Sequence, residues 1–382
     1  MAIIKKEDID LHIKNLDKAY KKVFGEDLET QEETKRLKNL FEVKSPFSGP
    51  IAEVLEEFSE KRSIFRNLES DAPYWGALPP PIEVIESLYP KFPNFKTVID
   101  KIKLSSVLYH NDPEKRDRLF TLPHLLLVGP PSAGKTYFMQ TLSELSGISF
   151  KSISLSGVSN AGLLTGTQRT WKNSTVGGIA HVLADGRIVN GIVLLDELDK
   201  TEVDQGIYEI LHNLLEQKTA KTTTDYCLGS SIEIDASNLI YVATANSTKN
   251  MPESLLSRMT VVNIEKIKKS QMGTIFSNML QIEVLKKHQL EGRVNLLVEG
   301  VNDISVSCQK TLIVSKEVVD LLAPAEDLRK VREILSTKVA EAVGFYLFPG
   351  KTNIFTLKPS HFDQEDFDSL GFQKNKSFGF SL

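Results

Sequence analysis

The stretch of sequence that decides the fold is Gly129-Pro130-Pro131-Ser132-Ala133-Gly134-Lys135-Thr136. It matches the phosphate-binding pattern G-x-x-x-x-G-K-[ST], follows the apolar run HLLLV, and precedes TYFMQTLSEL, whose apolar residues have helical spacing. This order of strand, loop and helix separates a working phosphate loop from a chance match. Backbone N–H groups of the loop would hold the β-phosphate of a nucleotide, Lys135 would neutralise phosphate charge, and the Thr136 hydroxyl would bind Mg²⁺.

Two further apolar runs end in polar residues. Asp196 and Glu197 follow IVLL at 192–195, and Asn246 follows LIYVATA at 239–245. Asp196 would hold the magnesium ion, whereas Glu197 would accept a proton from the water that attacks the γ-phosphate. Asn246 could orient that water, although an Asn that only caps the next turn would look the same. Together with the phosphate loop, these residues predict ATP and Mg²⁺ as cofactors and ATP hydrolysis as the reaction.

Five short apolar runs, separated by stretches of helical spacing, indicate a parallel sheet with helices on its faces. They lie at 125–128, 150–155, 192–195, 239–245 and 260–264. The predicted fold class is therefore α/β, with a five-stranded parallel sheet that carries the phosphate loop.

The remaining sequence predicts three flanking regions. Residues 1–90 have helical spacing at 7–24 and 51–68 and end near the row Pro79-Pro80-Pro81, so we expect a separate helical segment before the nucleotide-binding domain at 91–264. Residues 265–349 have helical spacing, most clearly in EDLRKVREILSTKVAEAV, and predict a small α-helical lid domain. Residues 350–382 are a tail too small to form a domain unaided.

Composition limits the class of partner. The 382 residues contain 50 Asp plus Glu against 46 Lys plus Arg, which argues against a surface built to hold nucleic acid. The two cysteines, Cys227 and Cys308, form no disulfide framework and lack the spacing of a zinc site. No run approaches the ~18 apolar residues of a membrane span. These features predict a cytoplasmic protein without a membrane partner.

The strands ending at Asp196 and Asn246, the segment LTGTQRTWKNSTVGGI at 164–179, and the later TDYCLG and LLSRM resemble an AAA+ ATPase module, specifically the ATPase portion of Lon proteases. The resemblance covers about residues 92–345. It implies that Asn246 is the sensor-1 residue and that Arg258 is an arginine finger acting on the neighbouring subunit's nucleotide. It also implies that Arg329 is the sensor-2 residue, with Arg332, one turn further along, as the competing candidate.

The same resemblance implies a homo-oligomeric ring of six subunits that remodels a protein client. In this family an aromatic residue at the position of Trp171 faces the central pore and grips the polypeptide, although a Trp buried against the sheet is the alternative. Asp225 and Tyr226 form a candidate second pore loop, for which a simple hairpin turn would look the same. A nucleic-acid motor or loader, and a slow ATP-dependent switch, remain rival functions.

Protease activity is not expected. The sequence around Ser132, GPPSAGK, superficially resembles the surroundings of Lon's nucleophilic serine, but this serine lies inside the phosphate loop. It would have no room there for a Lys or His partner independent of the phosphates. About three dozen residues follow the predicted lid, far fewer than a second catalytic domain needs.

Overall fold

A computed structural model provides the structure of the protein. It describes residues 41–56, 64, 67–68, 74–111, 119–156, 161–168, 174–201, 205–280, 294–301, 310–325, 328–347 and 352–370. The chain divides into two units. The first contains the described residues up to Leu88 together with Phe95–Pro130 and Gly134–Ile264, and the second contains Tyr89–Asn94, Pro131–Ala133 and the described residues from Glu265 onward.

The strands, in chain order, are β1 (Phe41–Val43), β2 (Phe47–Ser48), β3 (Tyr74–Gly76), β4 (Leu125–Val128), β5 (Phe150–Ser154), β6 (Ile192–Asp196), β7 (Thr223–Thr224), β8 (Glu233–Ile234), β9 (Ile240–Ala245), β10 (Thr260–Asn263), β11 (Asn295–Val298), β12 (Thr311–Val314) and β13 (Ile354–Leu357). The α-helices are α1 (Ile51–Glu56), α2 (Ile82–Glu86), α3 (Leu88–Lys91), α4 (Lys96–His110), α5 (Lys135–Ser146), α6 (Gly162–Thr165), α7 (Gly178–Gly186), α8 (Gln205–Leu215), α9 (Gln217–Ala220), α10 (Glu253–Leu256), α11 (Lys269–Met279), α12 (Lys316–Leu322), α13 (Leu328–Ala342) and α14 (Gln364–Ser369).

The first unit is built around a five-stranded parallel sheet with the order β10-β4-β9-β6-β5. Central strands are buried on both faces, which explains why β4 and β6 are almost continuous apolar runs. The five strands lie within one residue of the five predicted runs. The predicted α/β class and its five-stranded parallel sheet are confirmed.

The described part of the N-terminal segment, up to Leu88, belongs to this same unit. β1 pairs with β3, and β2 pairs with β8, both antiparallel. Phe47, Val54 and Tyr74 lie in the hydrophobic cluster that also contains residues of β6 and β9. The prediction of a separate helical segment over 1–90 therefore differs from the structure. Strands of two or three residues are too short to show a hydrophobic period. In addition, β2 pairs with a strand nearly 190 residues further along the chain. The predicted helix at 7–24 lies outside the described residues.

Asn190 connects the segment after β3 to the first unit through hydrogen bonds. Its side chain is fully buried and accepts a hydrogen bond from the Ala77 N–H (2.9 Å). Its Nδ2 donates to the carbonyl oxygens of Ala77 (2.8 Å) and Phe120 (2.9 Å). The Ala77 carbonyl oxygen also accepts from the Phe120 N–H (2.8 Å), so Asn190 is the partner on which the Ala77 N–H and the Phe120 carbonyl oxygen depend.

The second unit combines helices with a small parallel sheet of order β11-β12-β13. The apolar face predicted for the helix at 328–343 is present, since Val331, Leu335 and Val339 on α13 are fully buried. The prediction of a purely helical lid is wrong in one respect, because it missed β11 and β12. Four-residue apolar runs such as TLIV are compatible with helix or strand, and only pairing with a distant strand decides between them.

The tail is also part of this second unit, not a separate appendage. β13 adds to the edge of β12, and α14 approaches α13 through charged residues. Lys338 on α13, which is 8% exposed, lies 3.2 Å from Asp363 and 3.0 Å from Asp366. A buried ammonium needs such partners, so the acidic residues near α14 complete the lid. Among the described residues, no helix has both the length and the apolar character needed to cross a bilayer.

Replacing Asn190 by Ala should lower the free energy of unfolding by about 2 kcal/mol or more, because the Ala77 N–H and the Phe120 carbonyl oxygen lose this partner and each buried backbone group left unpaired costs about 1–3 kcal/mol. The matched control is Asn213→Ala on the exposed side of α8, which should change stability by less than about 0.5 kcal/mol. Urea unfolding followed by circular dichroism measures both. Equal midpoints for Asn190→Ala and the wild type would contradict the role of this side chain.

Candidate active site

The phosphate loop lies between β4 and α5, as the sequence predicted, and its backbone is tightly constrained. Gly134 has φ +85° and Ser132 has φ +60°, both in the left-handed region. Glycine at 134 meets that requirement without strain. A Cβ on Gly129 would lie 2.4 Å from the Ile264 carbonyl oxygen, so only glycine fits where the loop leaves the sheet. The loop residues proposed for phosphate, Gly129 to Thr136, thus have the backbone that a phosphate cradle needs.

Lys135 lies half-buried at the start of α5. Its Nζ donates to the carbonyl oxygens of Gly129 (2.6 Å) and Pro130 (3.0 Å). Burial lowers the pKa of Lys135, while the negative charges of Asp196, Asp199 and Glu197 act in the opposite direction. The lysine is therefore the positive centre of a strongly acidic site, which suits a group that neutralises bound phosphate.

Thr136 and Asp196 meet as the predicted magnesium pair. The Thr136 Oγ1 donates to the Asp196 Oδ2 at 3.1 Å, although the two residues are 60 positions apart. Mg²⁺ is typically held by one or two oxygen side chains together with phosphate oxygens and water. A hydroxyl and a carboxylate placed beside the phosphate loop therefore fit that ion.

Thr244 is a site residue that the sequence reasoning missed. Its hydroxyl donates to the Asp196 Oδ1 and accepts a hydrogen bond from the Glu197 N–H (3.0 Å). Thr244 is almost fully buried on β9, next to β6. A polar residue in the otherwise apolar run LIYVATA was the available signal. Thr244 therefore holds the Asp196 carboxylate and the Glu197 backbone at the end of β6.

Glu197, the predicted base, has a left-handed backbone with φ +59°. The Lys200 Nζ donates to the Glu197 Oε1 at 2.5 Å, and this hydrogen bond raises the pKa of Lys200. Both side chains are well exposed. Exposed ion pairs contribute little to stability, so the Glu197 carboxylate can exchange this partner for another one.

Asn246 follows β9 at the same edge of the sheet, and its side chain is exposed. Its backbone N–H donates to the Asp199 Oδ2 (2.9 Å), which also accepts from the Ser247 N–H at 3.3 Å. Asp199, the third acid of LLDELDK, had no role assigned from the sequence. It fixes the backbone from which Asn246 would reach water or phosphate.

Arg258 lies just after α10 and is exposed. Its guanidinium donates to the Ser254 carbonyl oxygen (2.8 Å). The Ser254 hydroxyl lies 3.1 Å from the Nε2 of His212, whose pKa is lowered by burial and by the charge of Arg258. An exposed, anchored arginine is compatible with action on a neighbouring subunit, and that role stays a prediction.

The other predicted site residues are placed less directly. Arg329 and Arg332 both lie on α13 in the second unit, and the choice between them stays a prediction. Trp171 lies outside the described residues. The chain on either side of it is described: Thr167 N donates to the Thr175 carbonyl oxygen (2.9 Å), and Thr175 N donates to the Thr167 hydroxyl (2.7 Å). These bonds bring the backbone before Trp171 close to the backbone after it.

Comparison with known proteins gives the class of the nucleotide-binding domain. Residues 125–265 match the model of the ATPase family associated with various cellular activities (AAA). With the parallel sheet, the phosphate loop and the acids at the end of β6, this match shows that the chain carries an AAA ATPase domain.

The relatives define the type of AAA domain. The peroxisomal Lon protease homolog 2 of Eremothecium gossypii is 32% identical over 170 residues, which cover 42% of this chain and 17% of the relative. The Lon protease of Buchnera aphidicola is 28% identical over 253 residues (60% of this chain, 32% of the relative). That of Azorhizobium caulinodans is 32% identical over 197 residues (51% and 22%). The protein therefore contains a Lon-like ATPase module, and the match spans less than a third of each of these relatives.

Lys135→Ala should abolish ATP binding, because the cation that offsets phosphate charge is lost, while the fold persists because the side chain contacts only loop carbonyls. Isothermal titration calorimetry measures the affinity, and circular dichroism checks the fold. Lys151→Ala, an exposed lysine on the edge strand β5, is the matched control and should bind ATP as the wild type does. Unchanged affinity in Lys135→Ala would refute the assignment of the phosphate loop.

Proposed function

We propose that this chain is an ATP-hydrolysing ring ATPase that remodels, unfolds or translocates a protein client and has no protease activity of its own. The observation that carries the proposal is the row of hydrogen bonds that joins the side chains of Thr136, Asp196 and Thr244 to the backbone N–H of Glu197 beside the phosphate loop. It supports hydrolysis as well as nucleotide binding, because it orients a magnesium ligand and a base together.

Each residue has a defined task in this proposal. Bound Mg²⁺ would neutralise charge on the β- and γ-phosphates. Thr136 and Asp196 would hold that ion, and Lys135 would bind the phosphate oxygens. The Glu197 carboxylate would leave Lys200, orient a water molecule and take up its proton. Asn246, positioned by Asp199, would hold the same water in line with the γ-phosphate.

The ring is supported by the position of Arg258 and by the Lon-like module. An arginine finger stabilises charge on the phosphoryl group only when it reaches the nucleotide, and the exposed Arg258 would do so across a subunit interface. We therefore propose a homo-oligomer, a hexamer by resemblance to Lon ATPases, in which each site is completed by its neighbour.

The absence of protease activity and the location are also proposals. Ser132 lies in the phosphate loop between β4 and α5, which supports a role beside bound phosphate and leaves a nucleophilic serine without an independent Lys or His partner. We propose a cytoplasmic location from the composition, although one relative is named as peroxisomal.

Mixing two inactive variants tests the ring. Glu197→Gln and Arg258→Ala should each lower hydrolysis by about 10³-fold when assayed alone. In randomly mixed rings of a 1:1 mixture, about a quarter of the interfaces join an intact Glu197 to an intact Arg258, so activity should return to about a quarter of wild type. A phosphate-release assay measures it.

The control is a mixture of Glu197→Gln with the double variant Glu197→Gln/Arg258→Ala, which contains no intact base and should stay inactive. Full activity of Arg258→Ala alone, or no recovery in the mixture of the two single variants, would rule out an arginine finger that acts between subunits.

Trp171→Ala tests client handling. Basal ATP turnover should stay unchanged, whereas stimulation of turnover by an unfolded polypeptide should disappear. The reason is that, in the proposed role, the indole side chain of Trp171 contacts polypeptide and not nucleotide. The melting temperature distinguishes the alternative of a core tryptophan, whose removal costs about 3–5 kcal/mol. Trp75→Ala on β3, which is partly buried, is the comparison that should lower stability. A large loss of stability in Trp171→Ala would contradict the pore role.

A further inference from the structure

Asp225 is a buried carboxylate outside the nucleotide site. Its residue is 1% exposed, and its two oxygens accept hydrogen bonds from separate parts of the chain. Oδ2 accepts from the Gly177 N–H at 2.7 Å, while Oδ1 accepts from the N–H groups of Cys227 (2.9 Å) and Leu228 (3.1 Å). One side chain therefore connects the turn at 225–228 to the segment before α7.

Glycines surround this carboxylate at close range. A Cβ on Gly166, which has φ +77°, would lie 2.4 Å from the Asp225 Oδ1. A Cβ on Gly177 would lie 2.4 Å from both the Gly166 nitrogen and the Leu164 carbonyl oxygen. Side chains at 166 and 177 are excluded, so the backbone segments before and after residues 169–173 approach each other at this point.

The turn presents an aromatic residue to solvent. The Tyr226 N–H donates to the Thr165 carbonyl oxygen at 2.7 Å, which adds a second link between the turn and the same backbone segments. The Tyr226 side chain is 52% exposed, although its neighbours Asp225 and Cys227 are buried. A partly exposed aromatic ring on an anchored turn is suited to contact polypeptide without sequence preference.

Stability alone does not account for an acid at this position. Burial raises the pKa of Asp225 to about 6, an effect that the three N–H donors only partly offset. Because burying a carboxylate is costly, a neutral or apolar residue of similar size would often serve packing equally well. The carboxylate has a property that its isosteric amide lacks, namely two oxygens that accept from opposite sides.

We propose that Asp225 is a positioning residue that holds the Tyr226 turn against the segments 165–168 and 174–177, so that Tyr226 contacts the polypeptide client from a fixed position. This inference rests on the proposed client-remodelling function. The link is made by the bond to Gly177, and the turn itself is closed by the bonds to Cys227 and Leu228.

Asp225→Asn tests the link to Gly177 separately from the bonds that close the turn. The Asn Oδ1 can still accept from Cys227 and Leu228, whereas its NH₂ group would face the Gly177 N–H, donor against donor. The substitution should therefore break the link and keep the turn. Asp235→Asn is the matched control. The Asp235 Oδ1 accepts hydrogen bonds from the N–H and the hydroxyl of Ser237, which is only two residues further along the chain.

Hydrogen exchange measured by mass spectrometry on the full chain tests the link without any client. In Asp225→Asn, amides of peptides covering 174–180 should exchange at least about tenfold faster, while those at 227–228 should change by less than about twofold. Asp235→Asn should leave 174–180 unchanged. Exchange at the wild-type rate at 174–180 in Asp225→Asn would overturn the proposal. Faster exchange throughout the first unit would also overturn it, because the effect would then be a loss of global stability.

Client kinetics test the consequence. Carboxymethylated lactalbumin, which stays unfolded in water, serves as the probe in an ATPase assay. Asp225→Asn should raise the probe concentration for half-maximal stimulation about fivefold or more, with basal turnover and the KM for ATP unchanged. Tyr226→Ala should have a similar effect, and the double variant should be no worse than Tyr226→Ala, because Asp225 acts through Tyr226.

Additive effects in the double variant, or a changed KM for ATP, would overturn the positioning role. A wild-type protein that shows no response to the probe would count against the proposed client function and the contact at Tyr226. The exchange measurement would then still decide whether Asp225 makes the link.

Discussion

The parallel register of β4, β9 and β6 is the constraint on which the active site depends. Val128 lies opposite Ala245, and Leu195 lies opposite Ala243, so the carboxyl ends of the three strands reach one edge of the sheet. This register brings Thr244 beside Asp196. Ligand sites of open parallel sheets form at such an edge because the loops that leave it diverge. A shift of a strand by one residue would turn its catalytic side chain to the opposite face.

The edge concentrates negative charge around one lysine. Asp196, Glu197 and Asp199 all act on Lys135, which burial by itself would tend to neutralise. The surplus of carboxylates favours a divalent cation at this edge, and the N–H groups at the start of α5 favour phosphate beside it. The ion pair of Glu197 with Lys200 is exposed, so breaking it costs little. The site thus combines a hydrogen-bonded magnesium pair with a base whose carboxylate lies in an exposed ion pair.

Buried polar side chains perform the corresponding task away from the nucleotide. Asn190 binds three backbone groups between the segment after β3 and the sheet, Asp225 binds three around a turn, and Lys338 connects α13 to the acids near α14. Each is an expensive group to bury and would be strongly destabilising without its partners. They therefore specify how short, weakly patterned segments pack within each of the two units.

The sequence by itself determined the features that are local. The phosphate loop, the apolar strands that end at Asp196 and Asn246, and the five-stranded sheet could be predicted because each depends on neighbours within about ten residues. Only the tertiary structure decided the position of β1, β2 and the strands of the second unit, whose two to four residues carry no distinct period. It also revealed Thr244, Asp199 and the bond of Asp225 to Gly177, because the importance of these polar residues comes from hydrogen bonds to partners that are distant in sequence. Hydrophobic periodicity reports which face of a segment is buried, but it contains no information on which distant groups that face will meet.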